Sequence, residues 1–214
     1  MKKIVLFIIL FTGLTLVTFA QKEIQNGVVV DKQAQKIITN ISSTLKTESP
    51  ISLNFSISQK GQKTSDKGTL KINGNKYTAS FSGNNIYCNG NTVWIYQKET
   101  NEVNINNIED TENEILNISK FISEANTKFR PKLIREEKGN YVIDLAPKTK
   151  SEFSKIRLRS NKQTNRIHSI EVNYKKGNVY TYLISNYKTK IQSKDIDFVF
   201  NKKDYPSAII VDLR

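Results

Sequence analysis

The chain of 214 residues holds one histidine, His168, and one thiol, Cys88. A Ser/His/Asp triad needs a histidine between a nucleophile and a carboxylate, and a Cys/His pair would need both single residues in one place. His168 sits in a segment of mixed polarity and reads as a surface or satisfied core residue. Cys88 alternates with Ile86, as core residues of a strand do. No Cys/His spacing suits zinc, and the acidic group Glu109, Asp110, Glu112 and Glu114 lacks the glycine turn of a calcium loop. That group instead favours the start of a helix. No glycine loop is arranged to cradle phosphates. The Asn-x-Ser/Thr triplets at Asn40 and Asn117 carry meaning only in a eukaryotic secretory pathway. The expectation is a protein that is not an enzyme and holds no metal or cofactor.

What the chain does possess is apolar surface on regular elements. Asp31 is placed to cap a helix whose stripe is Ala34, Ile37, Ile38, Ile41 and Leu45, and Pro50 ends it by disfavouring helical backbone at Ser49. The period then changes to two: Ile51, Leu53, Phe55 and Ile57 alternate with Ser52, Asn54, Ser56 and Ser58, the pattern of a strand with one buried face. Further strands follow at Leu70/Ile72, Tyr77/Ala79/Phe81, Ile86/Cys88, residues 93–96 and Val103/Ile105. The pairs Asn73-Gly74 and Asn89-Gly90 suit the positive φ of hairpin turns, so these strands are antiparallel neighbours. The meander resumes at segments near 132–137, 141–146, 153–160, 166–174, 179–187 and 195–200. Between the two meanders, residues 111–114 fit a capping box, and Ile115, Ile118, Ile122 and Ala125, with Phe121, give an apolar helical face; Ser119 could equally cap a shorter helix. About twelve short strands and two helices predict a mainly β fold: one large curved antiparallel sheet, a half-open barrel covered by the N-terminal and central helices. Leu53, Phe55, Leu70, Ile72, Tyr77 and Phe81 would line its concave face. Periodicity fits a filled core there as well as a pocket for a long apolar ligand.

The opening residues have the order of a secretory signal peptide: Lys2 and Lys3, an uncharged apolar run over residues 4–17, then Thr18-Phe19-Ala20. Cleavage after Ala20 would leave a single domain over residues 21–214, exported to the periplasm. Gln21 stands where a lipid-modified precursor would have cysteine. Without Lys2 and Lys3 the balance is 31 basic against 20 acidic residues, a net charge of +11. An exported chain of this charge meets anionic head groups or acidic proteins, or simply stays soluble, and the lysines are spread rather than clustered, which weakens the case for a specific anion site. No nucleic-acid partner is expected, and a monomer is. With a single cysteine, no internal disulfide can support the fold.

The segment Gly68-Thr69-Leu70-Lys71-Ile72, then Asn75-Lys76-Tyr77, then Asn89-Gly90-Asn91-Thr92-Val93-Trp94-Ile95-Tyr96 resembles the LolA family of periplasmic outer-membrane lipoprotein carriers. In that family a G-x-L strand precedes an aromatic strand and a hairpin carrying a W-x-Y pattern. The likeness continues through Asn101-Glu102-Val103, Ile156-Arg157-Leu158 and Ile167-His168-Ser169-Ile170 to Phe198-Val199-Phe200, Tyr205-Pro206 and Val211-Asp212-Leu213. It implies a carrier whose apolar cavity takes the acyl chains of lipoproteins released by an inner-membrane transporter and delivers them to an outer-membrane acceptor, which the sequence does not identify. The cavity would be lined by Leu53, Phe55, Leu70, Ile72, Tyr77, Phe81, Ile86, Trp94 and Tyr96, under a cover or lid of Ile37, Ile41, Ile115, Ile118, Phe121 and Ile122. In residues 93–96 either Trp94 and Tyr96 or Val93 and Ile95 face inward. Many family members have a latch arginine after the G-x-L strand; here Asn73-Gly74 stands in its place. A cell-envelope sensor or adaptor that binds lipid or a protein partner with the same fold is the alternative.

Overall fold

In a computed structural model, residues 22–25, 28–110 and 116–214 are described; the expected signal peptide, the capping box at 111–114 and Ile115 lie outside them. Helix α1 spans Lys32–Glu48. One Asp31 carboxylate oxygen accepts from the Ala34 N–H at 2.9 Å, and the other accepts from the Leu133 N–H at 2.9 Å. The cap therefore also ties the start of α1 to a sheet edge. The expected stripe of Ala34, Ile37, Ile38, Ile41 and Leu45 is buried. Ser49, before Pro50, is extended and ends the helix.

From Pro50 the chain runs as β3 (Ile51–Gln59), β4 (Ser65–Asn73), β5 (Lys76–Phe81), β6 (Asn84–Cys88), β7 (Thr92–Gln97) and β8 (Glu102–Asn107), each antiparallel to the last. Gly74 (φ 60°) and Gly90 (φ 103°) take the left-handed backbone at two of the turns, while Asn89 instead accepts from the Asn91 and Thr92 N–H groups. After helix α2 (Ile118–Lys128) come β9 (Phe129–Glu137), β10 (Asn140–Pro147), β11 (Phe153–Asn161), β12 (Ile167–Tyr174) and β13 (Val179–Lys188). Strand β13 pairs antiparallel with β3 and joins the two meanders. With β14 (Ile209–Asp212) the result is one sheet of twelve strands, in the order β14-β8-β7-β6-β5-β4-β3-β13-β12-β11-β10-β9. Core residues from β3–β7 and β9–β12 share a single buried cluster with both helices, so the sheet curves around them.

Four features depart from the sequence expectation. Strands β1 (Lys22–Gln25) and β2 (Val28–Asp31) form a separate hairpin that the apolar pattern does not announce. Helix α2 is capped by Asn117, whose side chain accepts from the Lys120 N–H at 3.1 Å, and Ser119 lies within the helix. Residues 195–200 are not a strand: Asp195–Phe198 form a 3-10 turn, because the Asp197 carboxylate takes the Lys194 N–H at 3.0 Å and the Lys71 ammonium at 2.6 Å. Strand β14 pairs parallel with β8, closing a strap that crosses the outer face.

On the outer face of β10 and β11, Arg157 grips Asp144 through two bonds of 2.6 and 2.9 Å, with Lys155 3.5 Å away. Partial burial opposes the Asp144 charge, but the Arg157 bonds and charge, with Lys155, outweigh it and hold its pKa below the ordinary carboxylate value. The contribution is thus present above the ordinary carboxylate range and lost as pH falls through the depressed pKa. Urea midpoints measured from pH 6 downward should fall on the acid side, and Asp144→Asn should flatten that fall.

Candidate functional site

Strand alternation and the two-residue turns align inward side chains in rows across the sheet. One row runs Ile51, Ile72, Tyr77, Cys88 and Val93; the next runs Leu53, Leu70, Ala79, Ile86 and Ile95. A third holds Phe55, Gly68 and Phe81. Gly68 is required there: an added Cβ would lie 2.5 Å from the Phe55 ring and 2.8 Å from the Ser80 carbonyl oxygen. The absent side chain lets Phe55 meet Phe81 edge to face at 5.7 Å.

The structure therefore places Leu53, Phe55, Leu70, Ile72, Tyr77 and Ile86 together on the concave face, each at most 5% exposed, with Phe81 half-buried beside them. Ile37 and Ile41 of α1 and Ile118, Phe121 and Ile122 of α2 share the same cluster. Trp94 and Tyr96 do not join it. Since Ile86 opposes Ile95 and Cys88 opposes Val93, Val93 and Ile95 take the inward positions and Trp94 and Tyr96 the outer face. Tyr96 lies 4.2 Å from Tyr205 of the strap, which also stacks on Phe200.

Among the described residues the buried polar or charged side chains are Asn117, Ser160 and Ser169, so no charged one is buried with this cluster. Burial pushes the Tyr77 hydroxyl and the Cys88 thiol up, so both stay protonated and neither is a nucleophile at neutral pH. His168 is exposed on β12. Among the described residues no group of three or more His, Cys, Asp or Glu could hold a metal, and no helix is long and apolar enough to cross a membrane. The arrangement is suited to excluding water from apolar matter.

Two asparagines fasten α2, and neither was read from sequence as a fastening. Asn117, 3% exposed, donates to the Asn75 carbonyl at 3.4 Å, in the turn that follows the G-x-L strand. Asn126 donates to the Gln35 carbonyl at 3.1 Å and to the Thr39 hydroxyl at 3.2 Å on α1. Asn117 was legible as a cap-forming residue directly before an apolar helical face. At Asn73-Gly74 the Ser49 hydroxyl at the end of α1 donates to the Asn73 side-chain oxygen at 3.5 Å, next to the Asn75 carbonyl that Asn117 meets.

A similar solved structure supports the architecture. A protein from Thermus thermophilus, described only as an uncharacterized conserved protein, superposes with a TM-score of 0.57 at 14% identity, over 84% of this chain and 99% of its own. A LolA superfamily protein from Nitrosomonas europaea gives 0.46 at 15% identity, over 78% and 97%. A search of curated protein sequences finds no match. The family model described as outer membrane lipoprotein carrier protein LolA matches residues 16–151. The chain belongs to that family.

Proposed function

We propose that the protein is an exported carrier that takes acyl chains of lipid-modified proteins between its curved sheet and α2, and moves them between the membranes of the envelope. The observation that carries this reading is the covered concave face: rows of apolar side chains with no buried charge, closed by a short helix. Lifting α2 would expose Ile118, Phe121 and Ile122, at about 1.5–3 kcal/mol for each side chain. An acyl chain gains about 0.8 kcal/mol for each CH₂ group withdrawn from water, so a chain of about sixteen carbons gains enough to replace these contacts. No bond is made or broken in the cycle. The helix and the cargo compete for one surface, and release is the helix returning.

A fluorescent fatty-acid analogue should bind the protein and be displaced by a diacylated lipopeptide but not by the same peptide without its acyl chains. Leu70→Asp, which sets a charge in the middle of the second row, should abolish this binding; Ser56→Asp, on the outer face, should not. No binding by the parent protein, or equal displacement by the unacylated peptide, would remove the carrier reading. The exported form should begin at Gln21, as mass analysis of the secreted chain can show.

A further inference from the structure

The two ends of the half-barrel differ. Pairing of Gln59 with Tyr180, Gly68 with Phe81, Phe153 with Tyr174 and Phe129 with Pro147 brings the end of β3, the β3–β4 hairpin, the β10–β11 loop and the β12–β13 turn to one rim. A chain of rings leads out to it: Phe121 to Phe129 at 5.7 Å, Phe129 to Phe153 at 6.2 Å, Phe153 to Tyr174 at 6.2 Å and Tyr174 to Tyr180 at 5.8 Å. Phe121 and Phe129 are buried, whereas Phe153, Tyr174 and Tyr180 are half-exposed. Apolar rings thus run from beneath α2 to the surface at this end.

The turns around these rings are basic. The β3–β4 hairpin carries exposed Lys60, Lys63 and Lys67 against Asp66; the β10–β11 loop carries Lys148 and Lys150 against Glu152; the β12–β13 turn carries Lys175 and Lys176. Among the described residues none of these lysines is in an ion pair, and Lys148 donates to the Asn126 carbonyl. At the opposite end Arg166 is held by Glu48, Lys162 by Glu136 and Lys76 by Asp195, while Lys46, Lys138 and Lys190 are exposed there without the row of rings, so it is the rings together with the lysines that set this rim apart. Half-exposed tyrosines among exposed lysines match the chemistry of a membrane interface, where tyrosine sits at head-group depth and lysine meets anionic lipid.

We infer that this rim is a docking face for an anionic bilayer surface, which it meets end-on with the row of rings directed at the lipid. The inference goes beyond acyl-chain capture and does not depend on it. The concave face alone needs no basic surround, and docking alone needs no cavity. If both hold, the rim sets the mouth of the apolar row against the membrane that supplies or receives the chain.

Co-sedimentation of the full chain with phosphatidylcholine vesicles, with and without about a third phosphatidylglycerol, tests it. The expected result is binding to the anionic vesicles only, largely lost at about 1 M salt, where the Debye length is about 3 Å. Each lysine at the surface contributes about fivefold, so reversing Lys63, Lys150, Lys175 and Lys176 to glutamate should weaken binding by a hundredfold or more. Tyr180→Ser should weaken it about tenfold, while Lys46→Glu with Lys190→Glu at the other end should leave it unchanged. Absent or charge-independent vesicle binding by the parent, or retained binding by the four-lysine variant, overturns the inference. So does lysine-dependent binding to an acidic polypeptide without binding to vesicles. Fatty-acid uptake measured without vesicles separates the readings: a lysine variant that still takes up the analogue has lost docking alone, and a parent that docks without uptake has lost the carrier role alone.

Discussion

Phe121→Ala should loosen α2 from the sheet while leaving the strands intact. Phe121 is 5% exposed and meets Phe129 edge to face at 5.7 Å, so truncation removes a ring from a closed apolar contact. A buried phenylalanine replaced by alanine costs about 3–5 kcal/mol. Most of that loss should fall on local opening, because the side-chain ties between α2 and its neighbours are single bonds to carbonyls and a hydroxyl, from Asn117, Asn126 and Lys148. Amide exchange within Ile118–Lys128 should then rise by about a hundredfold or more, with β3–β7 and β9–β13 still protected. Uptake of a fatty-acid analogue should also become faster, since the open form is populated more often. The ring contact and the asparagine bonds are neutral, and Lys148 meets a carbonyl rather than a carboxylate, so opening should respond little to salt. If exchange in α2 already matches that of the sheet and stays unchanged in the variant, α2 is fixed structure and the lid mechanism fails.

Phe198→Ala should detach the outer strap. Phe198 is 0% exposed yet lies outside the concave cluster, with the Lys71 ammonium 5.7 Å from the centre of its ring. Its burial holds the 3-10 turn that Asp197 and Lys71 complete with an ion pair only partly shielded from water, itself worth about 1 kcal/mol or less. Loss of the ring should cost about 3–5 kcal/mol. Beyond it the strap is held by smaller contacts: Tyr205 against Tyr87, Asn85 and Tyr96, Phe200 against Tyr87, Asp195 with Lys76, Asn101 with Ser207, and the short β14, where Ile209 and Ile210 are 59% and 47% exposed. Exchange should therefore rise over residues 195–212, and the uncovered β8 edge should promote self-association at high concentration. Fatty-acid uptake should be unaffected, because the strap and the concave face lie on opposite sides of the sheet. Strap amides that stay protected in the variant would show that Phe198 is not its anchor.

Helix α1 was legible because three independent signals coincide at its ends and along its length: a capping aspartate, a stripe at helical spacing and a proline after its last turn. Strands β3 to β6 were legible because small polar residues alternate with apolar ones and fix the phase. Residues 93–96 carry no such contrast, since Val93, Trp94, Ile95 and Tyr96 are all apolar or aromatic. The phase was nevertheless recoverable across the hairpin: Cys88 points inward and pairs with Val93, which turns Trp94 outward. The strap reads as a strand because Ile196, Phe198 and Phe200 alternate, but the alternation is broken by Asp197 capturing its own turn. Parallel pairing of β14 joins residues about a hundred positions apart with no turn between them, so local pattern holds no trace of it. The helical cover of the site was visible as apolar faces, whereas its asparagine ties depend on which turn lies above them.

Acyl-chain capture is tested most directly by native mass spectrometry of the protein recovered from its own cell envelope without detergent. The expected result is a population carrying an acylated peptide or lipid, lost in Leu70→Asp and retained in Ser56→Asp. A parent protein recovered empty under the same conditions, or bound tightly to a membrane-spanning protein through a lipid-free surface, would contradict the carrier account.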